Sequence, residues 1–280
     1  MAISLHTNYA NLVTQNNLNS VNKALTTSME RLSTGLRINS AADDAAGLQI
    51  ANRLEAQSRG MSVGMRNSQD AISMMQTAEG SMDEMTNMAY RMKDLATQAA
   101  NGTNSAEDIA AMQSEFSALA GQLDKMQSST NFGGQALLGT AGAFGKTNGV
   151  TFQIGTTASD ILKVDLSTEL GALATSITGF GTASLTGTGA ATAMTNIDSF
   201  IKNLGSARSA FGAQINNLEH NINNLANMVE NVDASKGRIM DTDFAKESGV
   251  MSKNQMLMQA GAQMLSATKM MPQLAMSMLG

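Results

Sequence analysis

Few residues of this chain stand at spacings that suit chemistry, and each such set also has a plainer role. Gly142-Ala143-Phe144-Gly145-Lys146-Thr147 ends as a phosphate-binding loop does. That loop needs its first glycine at position 140, which is Thr140, and a helix directly after it, whereas Val150 to Ile154 alternates as a strand. Met82, Met85 and Met88 offer three thioethers to a soft ion such as Cu(I), yet the same spacing suits the inside of a helical bundle. His6 and His220 lie far apart and outside any ligand-spaced cluster. The adjacent carboxylates of Asp43 and Asp44 fall where a helix is expected to begin, and negative charge is favoured there. No Ser/His/Asp or Cys/His set is suggested, so the chain is read as a non-enzyme, without cofactor or metal.

The informative spacing is apolar. Ile215, Leu218, Ile222, Leu225, Val229 and Val232 recur at alternating intervals of three and four, the seam of a coiled coil. Ile109, Met112, Phe116, Leu119, Leu123 and Met126 repeat the pattern without a break. Near the start, Leu18, Val21, Leu25 and Leu32 carry it with one interruption, Ser28. Each seam needs a partner helix, because an apolar stripe left in water does not offset the entropy of ordering it. A long antiparallel bundle satisfies all three.

Composition narrows the class further. The chain has 280 residues, no Trp, 23 Met and only 4% aromatic residues, so a large core filled by aromatic side chains is not expected. A single proline, Pro272, leaves most of the chain free to be helical. The net charge is −5 and basic residues form no block, which argues against binding to nucleic acid. Absence of Cys excludes disulfides and thiolate metal sites. The segment Met1 to Asn8 has no basic or apolar region of the signal-peptide kind. Gln255, Gln259, Gln263 and Lys269 interrupt the Met-rich C-terminal run, so membrane insertion is not expected.

Along the chain, one amphipathic helix is expected from about Leu12 to Leu36, with Asn39 or Ser40 capping a second helix that runs from roughly Asp43 to Ala99. Gly47, Gly60, Gly64 and Gly80 weaken that helix locally. Asn101 to Ser105 is a turn, and Ser105-Ala106-Glu107-Asp108 opens a third helix that fades near Ser128. Val150 to Ile154 and Leu162 to Leu166 alternate with period two and form a β-hairpin. Thr175 to Thr192 is rich in small residues and reads as a loop or a very short excursion. A fourth helix begins between Thr192 and Ile197 and reaches about Lys236, and a Met-rich helix from Ile239 to Gly280 is bent or ended by Pro272. The fold is therefore mainly α, a long antiparallel bundle with a small β-hairpin insertion and adjacent termini. Residues 1–42 with 240–280 form a terminal coiled-coil domain, and 43–175 with 192–239 form a helical core carrying the hairpin at about 150–167. Residues 176–191 are a short variable linker. Both chain ends are apolar and nearly uncharged, with Leu257, Met264, Leu265, Met270, Met271, Leu274, Met278 and Leu279 crowding the second, and a lone molecule would expose more apolar surface than soluble monomers tolerate. Self-association through the ends follows.

At Leu12-Val13-Thr14-Gln15-Asn16-Asn17-Leu18, and again from Glu30-Arg31-Leu32-Ser33-Thr34-Gly35-Leu36-Arg37-Ile38-Asn39 to Ala46-Gly47, the sequence resembles the N-terminal signature of bacterial flagellins. Asn101-Gly102-Thr103-Asn104, Gly261-Ala262-Gln263 and Pro272-Gln273 resemble the family as well, over roughly 1–140 and 192–280. Departures are Ala42, where relatives usually carry a basic residue, the Gly280 end, where many finish in Arg, and the Met load. The resemblance implies an extracellular homopolymer, the flagellar filament, whose subunits leave the cell through the flagellum's own export apparatus without a cleaved signal peptide. It implies an export chaperone and a filament cap as partners, and terminal segments that order only on assembly. It also implies a vertebrate toll-like receptor as a partner, through Arg91, Leu95 and Glu115, while Tyr90 and Lys93 depart from the best-recognised forms.

Two other readings share the helical pattern. A cytoplasmic chemoreceptor-like signalling hairpin is also rich in Ala, Met and Gln, but it needs no β-hairpin and keeps its helices unbroken through the centre. A hook-filament junction protein shares the terminal helices and the polymer contacts.

Overall fold

The 55 residues Ala45–Ala99 form one uninterrupted helix, α2. Its buried face includes Met61, Met75, Met82, Met85, Met92 and Leu95, separated by alanines at 71, 78, 89 and 96 that let neighbouring helices approach closely. In this computed structural model, residues 8–279 are described, the side chains of Lys269 and of 271–279 excepted. Residues 1–7, Gly280 and the expected crowding at Met271, Leu274, Met278 and Leu279 lie outside that description. The other elements are α1 Tyr9–Thr34, α3 Ala106–Ser129, β1 Asn131–Phe132, β2 Gln135–Ala136, β3 Val150–Gln153, β4 Ile161–Val164, α4 Ser167–Gly181, α5 Gly189–Met240 and α6 Phe244–Leu279. The mainly helical architecture with a small hairpin is thus as expected, and α6 continues through Pro272 to Leu279 where an earlier stop was allowed for.

The chain divides into two compact units, residues 58–230 and residues 1–57 with 231–280. In the first unit α3 starts at a full capping box: the Ser105 side chain accepts from the Asp108 N–H, and the Asp108 carboxylate accepts from the Ser105 N–H at 3.1 Å. α5 runs antiparallel to α2, because its ion pairs step backwards along that helix, Asp198 with Lys93 and Arg208 with Asp83 and Glu79.

The segment expected to be a loop from Thr175 to Thr192 is instead mostly helix. α4 reaches Gly181 and α5 begins at Gly189. The reason is a fourth apolar seam, Leu166, Leu170, Leu173, Ile177 and Phe180, all buried, which outweighs the low helix propensity of Thr and Gly. Aromatic residues are few, yet they are concentrated. Phe180 stacks edge-on between Phe116 of α3 and Phe200 of α5, with ring centroids 6.2 and 5.4 Å apart. Phe144 meets Phe211 in the same way at 4.9 Å.

β3 and β4 form the expected antiparallel hairpin, with Val150 opposite Val164 and Gln153 opposite Ile161. Its tip lies on α2. A Cβ on Gly64 would meet the Ile154 carbonyl oxygen at 2.9 Å and one on Gly60 would meet Thr156 at 2.8 Å, while Asn67 donates to the Gln153 carbonyl at 2.9 Å. Two glycines one turn apart thus form a seat for the hairpin rather than merely weakening the helix. β1 and β2 pair across Gly133 and Gly134, both at positive φ, as a two-residue hairpin turn demands.

Candidate functional site

The unit that holds both chain ends is built on two helices whose register is fixed along their length. Asn8 donates from Nδ2 to the Thr268 carbonyl at 3.0 Å, Leu18 packs against Gly261, and Arg31 faces Glu247 at 3.9 Å. Each step forward along α1 is therefore matched by a step back along α6. Asn8 also caps α1 through the Asn11 N–H. At the other end α1 stops at Gly35, whose φ of 75° is the left-handed value a helix C-terminus favours.

Beyond Gly35 the two connecting segments are held together by backbone. Thr242 N–H donates to Gly35 O at 2.9 Å, Arg37 N–H donates to Met240 O at 2.6 Å, and Leu36 pairs antiparallel with Asp241. The Arg37 guanidinium donates to Ile239 O at 2.9 Å, placing positive charge on the C-terminal carbonyls of α5. Asp43 organises the turn that follows, accepting from the Asn39 and Ser40 N–H groups and the Ser40 hydroxyl. Those backbone donors, Ser40 first, hold its carboxyl below the ordinary carboxylate value. The cap of α2 is Asp44, which accepts from the Gly47 N–H at 2.9 Å, rather than Asn39 or Ser40. Lys236 pairs with Glu55 at 2.6 Å, and this hydrogen bond raises the Lys236 pKa.

What distinguishes this unit is how little it buries. Among the described residues its buried apolar side chains are Leu25, Ile38 and Ala51, against thirty-seven in residues 58–230. Of the large apolar side chains left exposed among the described residues, eleven lie in the terminal unit and five in the other. On α6, Val250, Leu257 and Met264 recur every seven residues and are 38%, 44% and 62% exposed. They make a second stripe beside the one holding buried Asn254 and Gly261, which meets Leu18 of α1. On α1, Tyr9, Leu12 and Val13 are likewise exposed. Among the described residues, the arrangement leaves apolar area without a partner inside the chain.

The seam residues are distributed accordingly. Leu25 is buried and Leu18, Val21 and Leu32 half-buried on α1, Leu265 is half-buried on α6, and Leu257 and Met264 face outward. Met112, Phe116 and Leu123 are buried and Ile109, Leu119 and Met126 half-buried against the core of 58–230. Leu218 and Leu225 are buried on α5, with Ile215, Ile222, Val229 and Val232 half-buried. Arg91 and Glu115 are brought together at 2.6 Å on the open face of the α2–α3 hairpin, with side chains 54% and 46% exposed. Leu95, one turn further along α2, is buried in the core.

The remaining chemical candidates resolve into structure. Gly142, Ala143, Phe144 and Gly145 are buried in a turn so close that a Cβ on Gly145 would strike the Gly139 carbonyl, and the next element is β3. Met82, Met85 and Met88 line the core. His220 is exposed on α5, and His6 lies outside the described residues. No group of three His, Cys, Asp or Glu is placed to hold a metal among the described residues, and none of their helices is long and apolar enough to cross a membrane. One organising residue gave no sequence signal. Gln113 of α3 donates to Ala183 O at 3.0 Å and accepts from the Leu185 N–H at 2.7 Å, clamping the link between α4 and α5.

Comparison with known proteins places this arrangement. The profile of the bacterial flagellin N-terminal helical region matches residues 5–142, and that of the bacterial flagellin C-terminal helical region matches residues 194–279. Flagellin A of Vibrio anguillarum is 36% identical over 384 aligned positions, covering all of both chains. Polar flagellin C of Vibrio parahaemolyticus is 36% identical over 385, again with full coverage. Both alignments are longer than this chain of 280 residues, so each relative carries residues that this one lacks. The crystal structure of Bacillus cereus flagellin is similar at a TM-score of 0.50 and 31% identity, over 57% of this chain and 88% of that one.

Proposed function

This chain belongs to the bacterial flagellin family and is a short-form structural subunit of the flagellar filament, and from that premise we propose that the outward faces of α1 and α6 are the surfaces through which its copies join. The observation that carries this reading is the inversion between the units. One buries nearly all the apolar core and the other exposes most of the large apolar side chains. Burying a single Leu or Met fully is worth about 1.5–3 kcal/mol, so a stripe of several supplies the association energy that the intrachain contacts of the end helices leave unused. The α1–α6 pair then packs beside copies of itself around a common axis, and that burial holds it ordered. The seams on α3 and α5 serve the subunit's own core. A dedicated export chaperone and a distal filament cap are the further partners this role calls for.

Electron microscopy of the purified full-length protein tests the reading. Long tubular filaments form at high protein concentration from the wild type, and only short oligomers form from a variant with Leu257→Asp and Met264→Asp. Filaments of wild-type abundance from that variant would refute the assignment.

The Arg91–Glu115 pair supports a second, separate reading, recognition by a vertebrate toll-like receptor. It presents a charged, exposed element on the α2–α3 hairpin. Receptor activation by the Arg91→Ala, Glu115→Ala double variant falls if this face is bound and is unchanged if it is not.

A further inference from the structure

Among the described residues, every buried methionine lies in residues 58–230. Met61, Met75, Met82 and Met92 are at most 1% exposed, out of reach of a solute. Met256 and Met264 on α6 are 64% and 62% exposed, more open than any other described methionine side chain. Both are exposed on α6, Met264 in the stripe with Val250 and Leu257 and Met256 next to Leu257 in the chain. Thioether oxidation follows exposure, and it turns a flexible apolar side chain into a polar, chiral one.

We infer that Met256 and Met264 are oxidation sites whose conversion to sulfoxide by peroxide-class oxidants blocks assembly of the free subunit and spares the formed filament. The step balances with hydrogen peroxide as co-reactant. A sulfur lone pair attacks one peroxide oxygen, the O–O bond breaks as the S–O bond forms, and the other oxygen leaves as water after proton transfer. Sulfur loses two electrons and the peroxide gains them. A sulfoxide placed in an apolar contact must be desolvated without a partner, so the joint it enters weakens. In the filament the same sulfurs are covered and the oxidant reaches them slowly. The inference rests on the reading of the outward α6 face as a joining surface, and the effect is reversible because methionine sulfoxide reductases restore the thioether.

The experiment treats full-length monomer and preformed filament with the same hydrogen peroxide, maps oxygen gain per methionine by peptide mass spectrometry, and measures polymerisation by sedimentation. In the monomer, Met256 and Met264 gain oxygen first while Met75 and Met82 stay reduced, which shows that the core is intact. The critical concentration of the oxidised monomer rises about 10-fold or more, as loss of one or two buried apolar contacts requires. Reductase treatment returns it. A Met256→Leu, Met264→Leu variant has its own critical concentration measured first, and the same exposure leaves that value unmoved. Normal polymerisation of wild-type monomer oxidised at both sites overturns the inference, as does loss of polymerisation by the oxidised Leu variant. Equal oxidation rates in monomer and filament would overturn the joining surface itself.

Discussion

Leu18 of α1 closes over Gly261 of α6 so tightly that a Cβ on residue 261 would lie 2.6 Å from Leu18 Cδ2. The near contact is the tip of a flexible side chain, so a single methyl can be accommodated. A helical Gly→Ala change gains about 1 kcal/mol of propensity, and overpacking costs about 1–3 kcal/mol. Gly261→Ala is therefore close to neutral, whereas Gly261→Leu prises the end helices apart. Protease susceptibility of α1 and α6, together with sedimentation of filaments, distinguishes the two. Normal filaments from Gly261→Leu would show that the pairing is dispensable.

The hairpin seat on α2 behaves differently, because the atom opposing Gly64 is a backbone carbonyl that cannot rotate away. Gly64→Val displaces the β3–β4 tip and breaks the Asn67 to Gln153 bond. The expected loss is about 1–3 kcal/mol in urea unfolding of the full-length protein. By contrast, Gly80, with nothing near its missing Cβ, is stabilised by Ala. A destabilised Gly80→Ala beside an unaffected Gly64→Val would contradict the assignment.

The cap of α3 gives a pH dependence of known sign. Hydrogen bonds from the Ser105 hydroxyl and N–H hold the Asp108 carboxyl below its ordinary value of 3.8. A carboxylate with a depressed folded pKa stabilises above its unfolded value and loses that contribution as pH falls through the folded one. At neutral pH, Asp108→Asn therefore lowers the melting temperature. The gap to wild type narrows as pH drops below 3.8. A gap that persists unchanged in acid would mean that the charge is not what the cap uses.

Leu95 and its neighbour Arg91 separate core from surface within one helical turn. Leu95 is 2% exposed, and Leu95→Ala is expected to cost about 2–5 kcal/mol in unfolding. Arg91→Ala removes an open ion pair worth about 0–1 kcal/mol. Recognition experiments on this face are therefore clean with Arg91 and Glu115 and confounded with Leu95. A stable Leu95→Ala variant would contradict the burial.

The long helices were legible because a buried stripe forces a period. The seam at Ile109 to Met126 lies within α3, and the Ser105 to Asp108 cap sits where its residue types place it. α4 was hidden by its composition: Gly171, Thr175, Thr178 and Gly179 suggest a loop, although Leu166, Leu170, Leu173, Ile177 and Phe180 keep the same three-four spacing as the other seams. β1 and β2 are two residues each, too short for any alternation to register, and only Gly133-Gly134 marked the turn. At the end helices the apolar residues were evident, but the sequence could not divide Leu265, half-buried, from Leu257 and Met264, which face outward. That division follows from the partner, and the register of α1 against α6 is set by contacts some 240 residues apart, such as Leu18 with Gly261.

Hydrogen exchange of the end helices, followed by mass spectrometry in dilute monomer and in the filament, reads the central claim most directly. With so few buried side chains of their own, α1 and α6 open at low free energy in the monomer and exchange fast beside the protected α2, α3 and α5. In the filament their amides slow by orders of magnitude while the core helices change little. Monomer in which α1 and α6 are already as protected as α2, with no further slowing on polymerisation, would contradict the account.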